Sequence, residues 1–162
     1  MNTKDITISY EIYNGIDELS EADKDLCIIA KDALRTSHSP YSKFKVGTAI
    51  QLKDGDVVKG SNQENVAYPS GLCAERVALF SIGANNPQAV ITSMAVTAHT
   101  DNFKITHPVT SCGACLQVMI EMEKRQGSPI KIMFYCIDGA ILKVKSVKDL
   151  LPFAFVEDRL AV

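Results

Sequence analysis

Cys112 and Cys115 form a C-x-x-C unit, and Cys73 lies well upstream with Glu75 two places after it. Thiols at i and i+3 share one helix face and can grip a single ion together. Soft sulfur donors suit zinc, which needs no redox chemistry and makes Zn–S bonds of about 2.3 Å. Only three protein ligands are evident. A structural zinc site closes with four, whereas a catalytic site keeps one position for water. Zinc lowers the pKa of such a water from about 15.7 toward ~7. Glu75 is placed to take a proton from that water and return it to a leaving group. Three thiolates outweigh the charge of one zinc ion and weaken it as a Lewis acid. Arg76, beside Glu75, can hydrogen-bond the thiolates and offset the excess.

Two helices must present these groups. Residues 73–84 (CAERVALFSIGA) read as a helix that is apolar on most sides and therefore buried, and Ala114–Arg125 as another. A helix start carries partial positive charge and free N–H groups, which favour thiolate over thiol, and two such starts aimed at one ion make a three-thiolate cage. Ahead of them, Leu19–Leu34 reads as an amphipathic helix with Leu26, Ile29, Ala30 and Ala33 on one side. It stops before the turn Ser37-His38-Ser39-Pro40. Lys45–Leu52 reads as a strand, and Asp54-Gly55 as a hairpin turn into Val57-Val58. Val90–Thr97, Pro129–Cys136 and Ile141–Val144 complete the strands, and Val147–Leu151 is a short closing helix. Strands alternating with helices of this length predict an α/β fold, a three-layer α/β/α sandwich with a mixed central sheet.

The 162 residues fit one domain spanning 1–162, and 46% hydrophobic with 22% charged residues is an ordinary globular balance. A formal net charge of -2 leaves no basic stripe for nucleic acid. No run approaches the ~20 apolar residues of a membrane span. The polar start Met1-Asn2-Thr3-Lys4-Asp5 is unlike a signal peptide, so a cytoplasmic protein with reduced thiols is expected. Five unevenly placed cysteines fit metal binding or buried free thiols better than a disulfide framework.

Cys-Ala-Glu-Arg at 73–76 with Cys-Gly-Ala-Cys-Leu-Gln at 112–117 resembles the cytidine deaminase family, in its small homotetrameric zinc-dependent class. The related signature is H-x-E followed by P-C-x-x-C, and Cys73 stands in place of the His. The resemblance runs from about Ser39 to Phe155. Residues 39–47 (SPYSKFKVG) look like the family's opening motif, Asn62-Gln63-Glu64-Asn65 like its ribose-binding segment, and Leu150-Leu151-Pro152 with Phe155 like its C-terminal signature. It implies one Zn2+ per subunit, held by Cys73, Cys112 and Cys115, and hydrolytic deamination of cytidine or deoxycytidine to uridine or deoxyuridine plus ammonia. That is a role in pyrimidine salvage, with Glu75 as acid and base. It further implies that Phe44 lines the pyrimidine pocket and that Asn62 and Glu64 bind ribose hydroxyls. The Ala74 N–H and the Glu75 carboxyl would read the base, and Tyr68 and Phe155 would help complete a neighbouring subunit's pocket.

Two positions depart from the family pattern: Ser111 where it has Pro, and Leu116 where it has Arg. They keep open a second substrate reading, a cytosine-bearing antibiotic of the blasticidin kind or a modified nucleoside. A zinc-stabilised binding protein without catalysis is a third, against which the retained Glu75 argues. Other features have plainer readings. Cys27 and Cys136 are small buried hydrophobes, and His38, His99 and His107 are surface or satisfied residues. Lys143, Lys145 and Lys148 form a solvated face. Glu64 could cap a loop and Phe44 could be core.

Overall fold

The computed structural model describes residues 1–157 and Arg159; position 158 and residues 160–162, the last part of the expected domain span, lie outside the described residues. In chain order the elements are β1 (Glu11–Tyr13), α1 (Glu21–Ala33), β2 (Lys45–Leu52), β3 (Val57–Ser61), α2 (Ala74–Asn85), β4 (Ile91–His99), α3 (Gly113–Gln126), β5 (Lys131–Tyr135) and β6 (Ile141–Val144). The six strands form one sheet in the order β1-β6-β5-β4-β2-β3. Among the described residues only the strands β4 and β5 run parallel; every other neighbouring pair is antiparallel, so the sheet is mixed, as expected.

Burial on both faces of the sheet produces the three layers. On one side Leu26, Cys27 and Ala30 of α1 pack onto Ala49, Ala95 and Met133. On the other, Leu79 and Ile82 of α2 and Met119 and Ile120 of α3 pack onto Ile50, Val96, Ile132 and Phe134. The α1 helix starts where Ser20 accepts the Asp23 N–H, and α3 ends on Gly127 at φ 67°, a left-handed stop that suits glycine. Glycine is also needed under α2. A Cβ on Gly60 would stand 2.4 Å from the Ala74 carbonyl oxygen and 2.9 Å from Ala78 Cβ, so its absence lets the first turn of α2 lie directly on β3.

Four local readings change. The strand β1 escapes the sequence pattern because it is only three residues long. The α2 helix is not buried all round: Phe80 and Ser81 are exposed, because its sheet-facing side already carries Ala78, Leu79 and Ile82. Lys143 does not belong to a solvated face. Its side chain is 17% exposed and reaches the buried Asp23 of α1 at 3.1 Å, while Lys131 makes a second ion pair with Asp23. The closing helix shrinks to a 3₁₀ turn, Val147–Asp149. It is held by Glu123, whose buried carboxylate accepts from Val147 N–H at 2.9 Å, Ser146 hydroxyl at 2.6 Å and Ile130 N–H at 2.8 Å. Among the described residues no helix is long and apolar enough to cross a membrane.

Candidate active site

The starts of α2 and α3 converge. Cys73 is the N-cap of α2 and Cys112 the N-cap of α3, both with extended backbone, and Cys115 follows in the first turn of α3. The sulfurs of Cys112 and Cys115 are 3.5 Å apart, those of Cys73 and Cys112 3.9 Å, and all three lie within 4.8 Å of one another. A tetrahedron with bonds of about 2.3 Å has edges of about 3.8 Å, so the two shorter spacings are close to those zinc needs. Among the described residues this is the one such group of ligating side chains, and it offers three donors rather than four. The set therefore fits an ion with one position left open.

Electrostatics acts unequally on the thiols. Cys73 is drawn down to about 5, first by its hydrogen bond with Cys115 and then, against burial, by Arg76 and Cys112. Cys115 is pushed up by the same bond with Cys73 and by burial. Arg76 Nη2 lies 3.7 Å from Cys73 Sγ, where its charge offsets thiolate charge.

Glu75 sits in the first turn of α2, 4% exposed. Its Oε1 accepts the Ser111 hydroxyl at 2.7 Å, and its Oε2 is buried without a hydrogen-bond partner. Burial raises the carboxyl above its ordinary range, and the Ser111 bond only partly counters it. A carboxyl biased toward holding a proton, with one oxygen uncommitted, is suited to collecting and returning protons.

A cavity of about 800 Å3 opens over these groups, lined among others by Phe44, Asn62, Glu64, Tyr68, Cys73 and Glu75. That is ample for a ligand of nucleoside size. Phe44 is half-buried and stacks on Phe103, with ring centroids 6.3 Å apart and planes 28° from parallel. Asn62 is a strand clamp. Its Oδ1 accepts from Val46 N–H at 2.8 Å and Ser37 hydroxyl at 2.5 Å, and its amide donates to the Phe44 carbonyl at 2.8 Å, leaving one N–H spare. Glu64 accepts from the N–H groups of Tyr41 and Ser42, at 2.9 and 3.2 Å, and from the Ser42 hydroxyl. A carboxylate has about four lone-pair sites, so one remains for a further donor. The loop-capping contacts weighed for Glu64 are thus present, on a side chain that still lines the cavity.

Of the residues singled out from the sequence, Phe44, Asn62, Glu64, Tyr68, Cys73, Glu75, Arg76 and Cys112 border this one space. Ala74 is buried in the α2 first turn, and Cys115 is buried beneath the cavity. Phe155 does not join it. It is 71% exposed, and its backbone is fastened to α3 by a two-way pair with the Gln117 side chain, at 2.8 and 3.1 Å. Cys27 and Cys136 are buried free thiols. Sequence reasoning missed the Ser111–Glu75 bond, having weighed Ser111 only as a missing proline, and it missed Phe103 behind Phe44. Neither leaves a spacing signal, because both depend on where the 100–112 loop travels in space.

The family model for the cytidine and deoxycytidylate deaminase zinc-binding region matches residues 20–127. The chain is 37% identical over 134 residues to a cytidine deaminase of Halalkalibacterium halodurans, covering 81% of this chain and 94% of that protein. It is 33% identical over 131 residues to a cytidine deaminase of Mycobacterium tuberculosis, covering 81% and 87%. The crystal structure of cytidine deaminase from Burkholderia pseudomallei superposes with a TM-score of 0.70 at 35% identity, over 85% of this chain and all of that one.

Proposed function

The chain belongs to the cytidine and deoxycytidylate deaminase family, and from that premise we propose that it hydrolyses the exocyclic amine of free cytidine and deoxycytidine, yielding uridine or deoxyuridine and ammonia. The observation that carries this reading is Glu75, buried, with one oxygen free, beside three clustered thiols at a nucleoside-sized cavity. Zinc, held by Cys73, Cys112 and Cys115, supplies Lewis acidity that makes water a nucleophile near neutral pH.

The chain's own groups do the rest. Phe44 offers an aromatic face to the pyrimidine, held in its plane by Phe103. The spare N–H of Asn62 and the spare lone pair of Glu64 face ribose hydroxyls, donating to one oxygen and accepting from another. The Ala74 N–H and the Glu75 carboxyl fix the base edge. Glu75 removes a proton from the attacking water and passes it to ring N3 as the oxygen adds at C4. It then delivers the second proton to the amino group, which departs as ammonia. Arg76 keeps the thiolate charge in check throughout. Leu116 packs against the core and is not among the cavity-lining residues, so its departure from the family pattern gives no reason to prefer the antibiotic substrate.

We extend the reading to the assembly. Residues 1–162 work as one domain in a homotetramer, in which the exposed Phe155, and Tyr68 while it borders its own cavity, help complete a neighbour's pocket. The protein serves pyrimidine salvage in the cytoplasm. Loss of the cytidine ultraviolet band tests the activity, comparing wild type and Glu75→Ala at measured zinc content. Turnover by wild type is expected, with a fall of about 10³-fold or more in the zinc-loaded variant. A zinc-loaded wild type that leaves cytidine and deoxycytidine untouched would overturn the substrate assignment.

A further inference from the structure

The bond between Ser111 and Glu75 divides the two carboxylate oxygens into unlike partners. Oε1 is engaged by a half-buried hydroxyl at 2.7 Å, and Oε2 is buried with no partner. Ser111 immediately precedes Cys112, so the loop that delivers a zinc ligand to the start of α3 also delivers this hydroxyl to the start of α2. In the family that the chain resembles, the position is usually Pro, which has no hydroxyl.

We propose that Ser111 is a positioning residue: it pins Glu75 Oε1 and assigns the travelling proton to Oε2. This rests on Glu75 being the acid and base. A carboxylate turns easily about its last torsion, and a buried one with neither oxygen tied can present either to the substrate. With Oε1 held by the Ser111 O–H, the proton taken from water goes to Oε2 and leaves from Oε2 to the base. Ser111 keeps its own proton at every stage, and no bond at serine is made or broken. The hydroxyl matters most while Glu75 is charged, because a hydrogen bond to an ionised acceptor is the stronger kind. Losing it should therefore weaken the proton-transfer stage rather than nucleoside binding.

The test uses zinc-loaded wild type, Ser111→Ala, Ser111→Thr, Glu75→Ala and the Ser111→Ala/Glu75→Ala pair, with one zinc per chain verified by elemental analysis. Ser111→Ala is expected to lose about tenfold in kcat with KM changed less than about twofold. Ser111→Thr, which keeps a hydroxyl, should retain most of kcat. A readout independent of turnover is affinity for a nucleoside whose C4 is tetrahedral and bears a hydroxyl. It should weaken about tenfold in Ser111→Ala while uridine binding stays unchanged. On the Glu75→Ala background, removing the Ser111 hydroxyl should have no further effect. Unchanged kcat in Ser111→Ala, equal losses in the Ala and Thr variants, or a loss confined to KM or zinc content would each overturn the proposal. Turnover by Glu75→Ala itself would instead overturn the acid–base reading, and that outcome is visible without any Ser111 variant.

Discussion

Arg76 shows how much of the site is decided by single side chains. Its Nη2 is 3.7 Å from Cys73 Sγ, and the thiolate in turn raises the guanidinium further above its ordinary value. Removing that charge leaves three thiolates pressing their full negative charge onto the ion. Arg76→Ala is expected to keep its zinc through intact sulfur ligands yet lose about tenfold in kcat, with Arg76→Lys recovering only part, since a point charge lacks the planar fork. Steady-state kinetics with metal analysis on the same samples checks this. Much at this scale could be read from the sequence. Thiols at 73, 112 and 115 advertise themselves by type and spacing, and Glu75 and Arg76 by adjacency. Ser111 does not, because nothing in a sequence says which way a loop hydroxyl points. The double duty of Asn62, clamping Phe44 and Val46 while lining the cavity, is hidden for the same reason.

Helices bring the reacting groups together, and each helix is seated by a contact that can be broken. Gly60 seats α2. Gly60→Ala would push a methyl into the Ala74 carbonyl oxygen and so shift Cys73 and Glu75 together. It is expected to cost about 1–3 kcal/mol of stability and at least tenfold in kcat. Denaturant unfolding and kinetics on the same preparation measure both. The α1 helix is locked by Asp23 against Lys131 and Lys143. Burial alone would raise the Asp23 carboxyl, but the hydrogen bonds from the two lysines outweigh it and hold it below its ordinary value. A carboxylate depressed on folding adds stability above its unfolded pKa of about 3.9 and loses it as pH falls through the lower folded value. Wild type should therefore exceed Asp23→Asn in melting temperature near neutrality, with the gap narrowing below about pH 4. A constant gap across that range would refute the assignment. Both long helices of the site, α1 and the antiparallel strand pair were legible from periodicity and turn residues. The three-residue β1 was too short to show a pattern, and the Asp23–Lys143 lock joins positions too far apart in sequence for any local window.

Across the whole molecule, the cavity and the tail are separate in one chain: Phe155 is tied to α3 through Gln117 and stays clear of its own pocket. If a neighbour's Phe155 completes each site, two crippled chains can repair one another. Mixing Glu75→Ala with Phe155→Ala chains through unfolding and reassembly should restore up to about a quarter of wild-type sites, since one pairing in four joins an intact Glu75 to an intact tail. Activity no greater than the sum of the separate variants would count against the shared pocket, as would a monomer by light scattering. The layered α/β/α architecture was foreseeable from the alternation of elements, whereas the strand order was not, because long-range pairing leaves no trace in short windows. That order has a practical side. The amino-terminal strand β1 occupies the sheet edge four strand spacings from β2, roughly 19 Å away, while β2 and β4 wall the cavity. A linker, fluorophore or solid support fixed to the exposed Tyr10, next to β1, therefore stands at the sheet edge away from the chemistry. The same attachment beyond Phe155 would load the segment that Gln117 holds. For an immobilised catalyst or a nucleoside sensor, the β1 edge is the side by which to tether this protein.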